Sequence, residues 1–192
     1  GGTSWPKLGS VGEWTGYLTQ AGVTLSPFQP TNCGFNVRWS NHFKTKYAGE
    51  PVKNVMVNDA DTVRKGDFVI TEYGIEGSLV YSVSSQMCQQ LTQAGTASLR
   101  IDMAPEHSLE KLRDRLRQPR GKRSFSNYLR KQVGLHGVKL GLLYKFIPKS
   151  EIQDPEMLAQ HIKAMVIPIH SPRPIEEEIR VAGGVTFKSM DE

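Results

Sequence analysis

Cysteine is scarce in this sequence: Cys33 and Cys88 are the two present, far apart and without a CxxC pair. That spacing indicates neither a disulfide framework nor a zinc cage, and it leaves a reducing cytoplasm as the expected compartment. Long apolar runs are missing too, none approaching the ~20 residues that a spanning helix needs. Nor does the N-terminus show a basic segment followed by an apolar one, so no membrane or export signal is read. The histidines at 42, 107, 136, 161 and 170 show no HxxxH or related spacing, and no metal is expected. Neither GxGxxG nor a Walker sequence occurs, so the usual phosphate cradles are lacking. Internal repeats and low-complexity linkers are absent as well.

What is present suffices for a globular core, with 192 residues and 38% hydrophobic composition. The net charge of +5 is unevenly spread: residues 106–150 hold 12 Lys and Arg against 3 acids, whereas the rest of the chain is net acidic. A nucleic-acid partner is therefore a question about one subregion. The chain opens "GGTSWPKLGS" without a methionine and closes "VAGGVTFKSMDE". It reads either as carrying a cloning scar or as a segment of a longer protein.

Periodicity sketches an α+β chain. Val11, Trp14, Leu18 and Ala21 recur at helical spacing before Gly22, and Phe35, Val37 and Trp39 alternate with polar residues as in a half-buried strand. Ser40 or Asn41 can cap a short turn carrying His42, Phe43 and Tyr47. "VKNVMV" and "GDFVITEYG" predict strands. "IEGSLVYSVSSQMCQQLTQAG" predicts a helix with Leu79, Val83, Met87 and Leu91 inward, stopping at Gly95. "TASLRIDMAP" alternates Ala97, Leu99, Ile101 and Met103 against Ser98, Arg100 and Asp102, another strand. Beyond it come helix signals: Ser108 as a cap before Leu109, Leu112 and Leu116; Ser124 before Phe125 and Leu129; an apolar segment ending at Pro148; and Asp154–Pro155 before Leu158, Ile162 and Met165. "VIPIHSPRP" returns to extended chain, "IEEEIRV" is ambiguous, and "AGGVTF" reads as a turn into a strand. The expected division is residues 1–23, a β-rich part at 24–104, a small helical subdomain at 105–165 and a return segment at 166–192.

Candidate chemistry is sparse. Cys33 becomes a nucleophile only with a partner such as His42, so a half-buried structural thiol is expected, and Cys88 is expected in the core. The run "LRDRLRQPRGKRSFSNYLRK" could contact phosphate, steer an anionic ligand, or be the solvated face of a helix whose leucines point inward. In "TEYGIEGSLVYS" a strand, two glycines and a helix start could offer the amides of Gly77 and Ser78 to an anion, or could simply pack tightly. No side chain is assigned to catalysis.

Six blocks in order, "GGTSWPKLGSVGEW", "LSPFQPTNCGFNVRWSNHF", "YAGEPVKNV", "GDFVITEYGIEGSLVYSVS", "QPRGKRSFSNYLRK" and "RPIEEEIRVAGGV", resemble the central part of the aminoacetone-oxidase-like bacterial flavoproteins, NAD(P)/FAD-dependent oxidoreductases. The resemblance implies a barrel-like or mixed-sheet subdomain plus a small helical one, together inserted in a Rossmann-like FAD domain. Residues 1–23 and about 175–192 would be stubs of that host, which would be this chain's partner alongside an unidentified small-molecule substrate. By position, Gly1, Gly2, Ser4, Pro6 and Gly9 match a segment passing near FAD, and Gly183 and Gly184 match the returning turn by the isoalloxazine. Glu178, Arg180 and Val181 replace the family's usual small residues before that pair. The fingerprint that holds FAD has no counterpart here, so FAD is expected in the full-length protein and not on this segment alone. The insert would cover the flavin, with Tyr73, Gly74 and Ser78 facing a substrate pocket. The alternative from a different class is a stand-alone nucleic-acid-binding module using Arg117, Arg120 and Arg123.

Overall fold

Capping and breaking residues set the element boundaries. The computed structural model describes residues 6–9, 11–59, 62–177 and 181–186. After a 3-10 turn at Pro6–Leu8 come α1 (Trp14–Gln20), β1 (Leu25–Pro30), β2 (Phe35–Asn36) and α2 (Asn41–Tyr47). Helix α1 has no fully buried side chain: Trp14 and Leu18 are half-buried and Val11 is exposed. The Ser40 hydroxyl accepts from the Phe43 amide at 3.3 Å and starts α2. Phe35, Val37 and Trp39 are all buried, matching the alternation. The ladder itself covers only Phe35–Asn36, and Val37 extends the pairing by donating to the Tyr73 carbonyl at 2.9 Å.

β3 (Pro51–Asp59) and β4 (Thr62–Ile70) form a long antiparallel hairpin, followed by β5 (Gly74–Glu76), α3 (Ser78–Ala94) and β6 (Ala97–Asp102). The hairpin bulges between Val52 and Val55, where Asn54 takes a positive φ of 52° and its amide donates to Asp67 at 2.8 Å. Helix α3 buries Leu79, Val80, Val83 and Met87 and stops at Gly95, which is left-handed with φ 68°. One sequence expectation fails on β6. Asp102 falls on the polar phase of the alternation, yet it is 1% exposed. Burial is tolerated because its carboxylate accepts from the Ala104 amide at 2.9 Å and from the Lys163 ammonium.

The helical stretch comprises α4 (Leu109–Leu116), α5 (Phe125–Val133), α6 (Gly137–Phe146), α7 (Lys149–Gln153) and α8 (Pro155–Lys163). Ser108, Ser124 and Asp154 accept from first-turn amides of α4, α5 and α8, each an expected cap. Helix α6 buries Val138, Leu140, Leu142 and Leu143, apolar nearly all round as a central helix should be. From it Lys139 reaches back to the barrel, donating to Met103 O at 2.7 Å and Asn54 O at 3.1 Å. The aromatic ladder Trp39–Phe43–Tyr47 meets the same helix: Trp39 stacks on Phe43 at 4.6 Å, and Gly141 lies so close that a Cβ would approach the Tyr47 ring at 2.4 Å. Barrel and helices therefore share one continuous apolar cluster.

The chain returns through β7 (Met165–Ile169), β8 (Ser171–Pro172), a 3-10 turn at Ile175–Glu177 and β9 (Val181–Val185). Seven strands form an antiparallel sheet in the order β7-β6-β3-β4-β5-β2-β8. Its two outer strands are separated by His170 alone in the chain, so the sheet curls into a half-barrel whose edges meet at that corner. Pro168 is accommodated because β7 is an edge strand. A separate antiparallel ribbon pairs β1 with β9, setting Leu25 opposite Val185 and Pro30 opposite Val181.

Candidate functional site

Three regions carry the residues singled out in the sequence, and the structure keeps them apart. Gly74 sits at the crossing of β5 and β2, where an added Cβ would stand 1.8 Å from Phe35 O. Its carbonyl accepts from the Trp39 indole at 3.2 Å, so glycine here serves backbone packing. Tyr73 is exposed, lines a shallow depression with Asn41, Lys44, Thr45 and Glu72, and carries the Arg173 guanidinium 4.4 Å from its ring centre. Ser78 lies in a different depression with Arg64, Lys65 and Ser82. Gly77, before it, takes φ 113° and packs on the Phe68 backbone, the tight strand-to-helix packing weighed against anion binding.

The ribbon holds the second set. Pro6 opens an exposed turn in which the Gly9 amide donates to Pro6 O at 2.9 Å, whereas Gly1, Gly2, Ser4, Glu178 and Arg180 lie outside the described residues. Gly183 and Gly184 fall within strand β9, not in a turn, with φ of 105° and 93°. The reason is a bulge in the facing strand between Ser26 and Gln29. A Cβ on Gly183 would meet Pro27 O at 2.3 Å, and one on Gly184 would meet the Trp14 ring at 3.1 Å. Trp14 in turn packs edge-on against Phe28, with ring centres 5.8 Å apart. The space beside this glycine pair is thus taken by the chain's own backbone and rings.

The basic run forms the third region. Arg113 and Arg117 both pair with Glu156, at 2.8 and 2.6 Å, tying α4 to α8, and Arg115 donates to Gln132 O at 2.9 Å, tying α4 to the end of α5. Arg120, Lys122 and Arg123 remain exposed in the connection between α4 and α5. Part of the positive charge therefore joins helices, and part lies on an exposed face.

A fourth feature lies along α3, outside the residues singled out in the sequence. Thr31, Ser85, Cys88, Gln89, Thr92 and Ala182 line a depression of about 600 Å³ between this helix, the start of the barrel and the ribbon. The helix has seventeen residues and not one charge, and its exposed positions are Ser, Gln and Thr with Ala94 at the end. Surface helices ordinarily carry charge on the face away from the core. The lack of charge over residues 78–94 was the available sequence signal, one that apolar periodicity does not report. Cys33, expected to be structural, is 1% exposed, and Cys88 beside it is half-buried. Their sulfurs lie 3.9 Å apart despite the distance in sequence.

Among the described residues, no group of three or more His, Cys, Asp or Glu could hold a metal ion. No helix among them is long and apolar enough to cross a membrane. Compared with known families, residues 29–180 match the HI0933-like protein barrel and H2TH domain. No curated protein matches the chain.

Proposed function

Since the chain belongs to the HI0933-like barrel and H2TH family, which is associated with FAD-dependent, oxidoreductase-like flavoproteins, we propose that it is the inserted, substrate-covering part of such an oxidoreductase. The β1–β9 ribbon carries this reading. It brings the two ends of the barrel and helical region together, Pro30 opposite Val181, as an insertion into a host domain requires. The division follows the same line: 1–23 borders the host, 24–104 and 105–165 are the β-rich and helical parts of the insert, and 166–192 is the return strand, leading back to the host from about 175. The uncharged face of α3, with the depression running to Ala182, is the surface that meets the host or the substrate. Aminoacetone-oxidase-like chemistry is the specific activity the sequence blocks favour.

On this reading hydride chemistry belongs to FAD, which supplies it when bound to the host domain. The chain's own residues exclude water and shape the substrate's surroundings. Tyr73 and Ser78 are candidate contacts at the barrel rim, and Gly74 keeps that rim closed by letting β5 approach β2. The direct test uses the adjacency of the ribbon strands. In the full-length protein, residues 31–180 are replaced by a two-residue turn joining β1 to β9. The expected product retains FAD, read by its visible absorbance, and loses substrate turnover. Loss of FAD on excision, or stoichiometric FAD on the isolated chain, would overturn the reading.

A further inference from the structure

The two cysteines, 55 positions apart in sequence, meet with Cys33 Sγ 3.9 Å from Cys88 Sγ. The meeting is held from both sides. Ser84 and Cys88 lie one turn apart on α3, while Thr31 and Cys33 lie two residues apart on the segment before β2. The fully buried Ser84 hydroxyl donates to the Thr31 carbonyl, fastening that segment to the helix one turn from the sulfurs. Past Cys33, the Arg173 amide donates to Gly34 O at 2.9 Å, and Gly34 packs so closely on β5 that a Cβ would stand 2.9 Å from Ile75 O. With the backbone fixed before and after Cys33, a gap on the order of 2 Å separates this arrangement from a disulfide's S–S length of about 2.05 Å.

The thiols differ in access. Cys33 is 1% exposed, whereas Cys88 is half-buried and lines the α3 depression with Thr31, Ser85, Gln89 and Thr92. A small oxidant entering that depression reaches Cys88 first, with Cys33 behind it.

We propose that Cys33 and Cys88 form a hydroperoxide-responsive dithiol site, with Cys88 taking the oxidant and Cys33 resolving it into an internal disulfide. In the first step the Cys88 thiolate attacks the terminal oxygen of the hydroperoxide. An S–O bond forms and the O–O bond breaks, so Cys88 becomes a sulfenic acid. The peroxide is reduced to the alcohol, or to water from hydrogen peroxide, which carries away the thiol proton. In the second step Cys33 Sγ attacks Cys88 Sγ. The S–S bond forms as the S–O bond breaks, and the departing hydroxide takes the Cys33 proton as water. Two thiols and one hydroperoxide give one disulfide, one alcohol and one water. A thiol reductant reverses the outcome by exchange. The site opens on the same α3 depression that the flavin reading gives to the host or the substrate, and its test reads cysteine mass on this chain, separately from FAD retention and turnover.

The test treats the reduced chain with hydrogen peroxide, alkylates it under denaturing conditions and measures the masses of the whole chain and its peptides. The expected result is loss of two hydrogens, a linked peptide pair joining Cys33 to Cys88, and return of both alkylatable thiols after dithiothreitol. Cys88→Ser should slow oxidation at Cys33 at least tenfold, while Cys33→Ser should accumulate a Cys88 sulfenic acid that dimedone traps. The proposal is overturned if oxidised wild type keeps two alkylatable thiols. It is equally overturned if wild type accumulates dimedone-reactive or sulfinic Cys88 as readily as Cys33→Ser, or if its disulfide joins two chains.

Discussion

Gly74 shows how much one missing Cβ can decide. The 1.8 Å approach to Phe35 O leaves no room for alanine without separating β5 from β2. Gly74→Ala should therefore destabilise the fold by about 3 kcal/mol, measured as a lower urea midpoint. Gly95→Ala meets open space and strains only its φ of 68°, so its cost should be about 1 kcal/mol. The sequence marked Gly74 as notable but could not distinguish a pocket from a strand crossing, because both require a residue without a side chain. His107 supplies a pH effect of definite sign. Burial, with Arg115 and Lys111 nearby, lowers its pKa below the usual 6.5 in the folded chain. The unfolded chain then binds the proton first, so this contribution to stability is complete above about pH 6.5 and is lost as pH falls through the folded value. Urea midpoints measured across that interval should fall in wild type and fall less steeply in His107→Gln.

Helix starts were the most legible elements, because Ser40, Ser108, Ser124 and Asp154 announce caps through local chemistry alone. Asp154→Ala should lower the melting temperature through a loss of about 1 kcal/mol, leaving two first-turn amides of α8 without their carboxylate. Helix α7 was not legible. Its five residues lie between the stop at Pro148 and the cap at Asp154, too short a stretch to show a period. Strand β6 misled for another reason: alternation assumes that one face meets water, whereas the far end of β6 runs under α8 and takes Asp102 inside. Lys163, at the end of α8, neutralises that carboxylate and also donates to His107 O at 2.8 Å. Lys163→Met should leave a buried charge without its cation and cost about 3 kcal/mol. Asp102→Asn with Lys163→Met should recover part of that loss in the same denaturation experiment.

At the scale of the molecule, the α+β class and the order of strands then helices were legible because each element carries its own periodicity. The closure of the half-barrel was not, since it depends on β8 reaching β2 across more than 130 residues of intervening chain. The same limit hid the sulfur pair, the α3 depression and the ribbon's bulged register, all of which arise from contacts between distant segments. That closure also sets an order of events during synthesis. The β3–β4 hairpin and β6 can pair soon after they emerge, but Asn36 must wait for Ser171 and Pro172 before its outer edge is satisfied. Until then β2 offers an open edge to any other extended chain nearby. Nascent chains arrested near residue 165 should protect the hairpin from protease while segment 31–36 is still cleaved, and that segment should become resistant once residue 172 has cleared the ribosome.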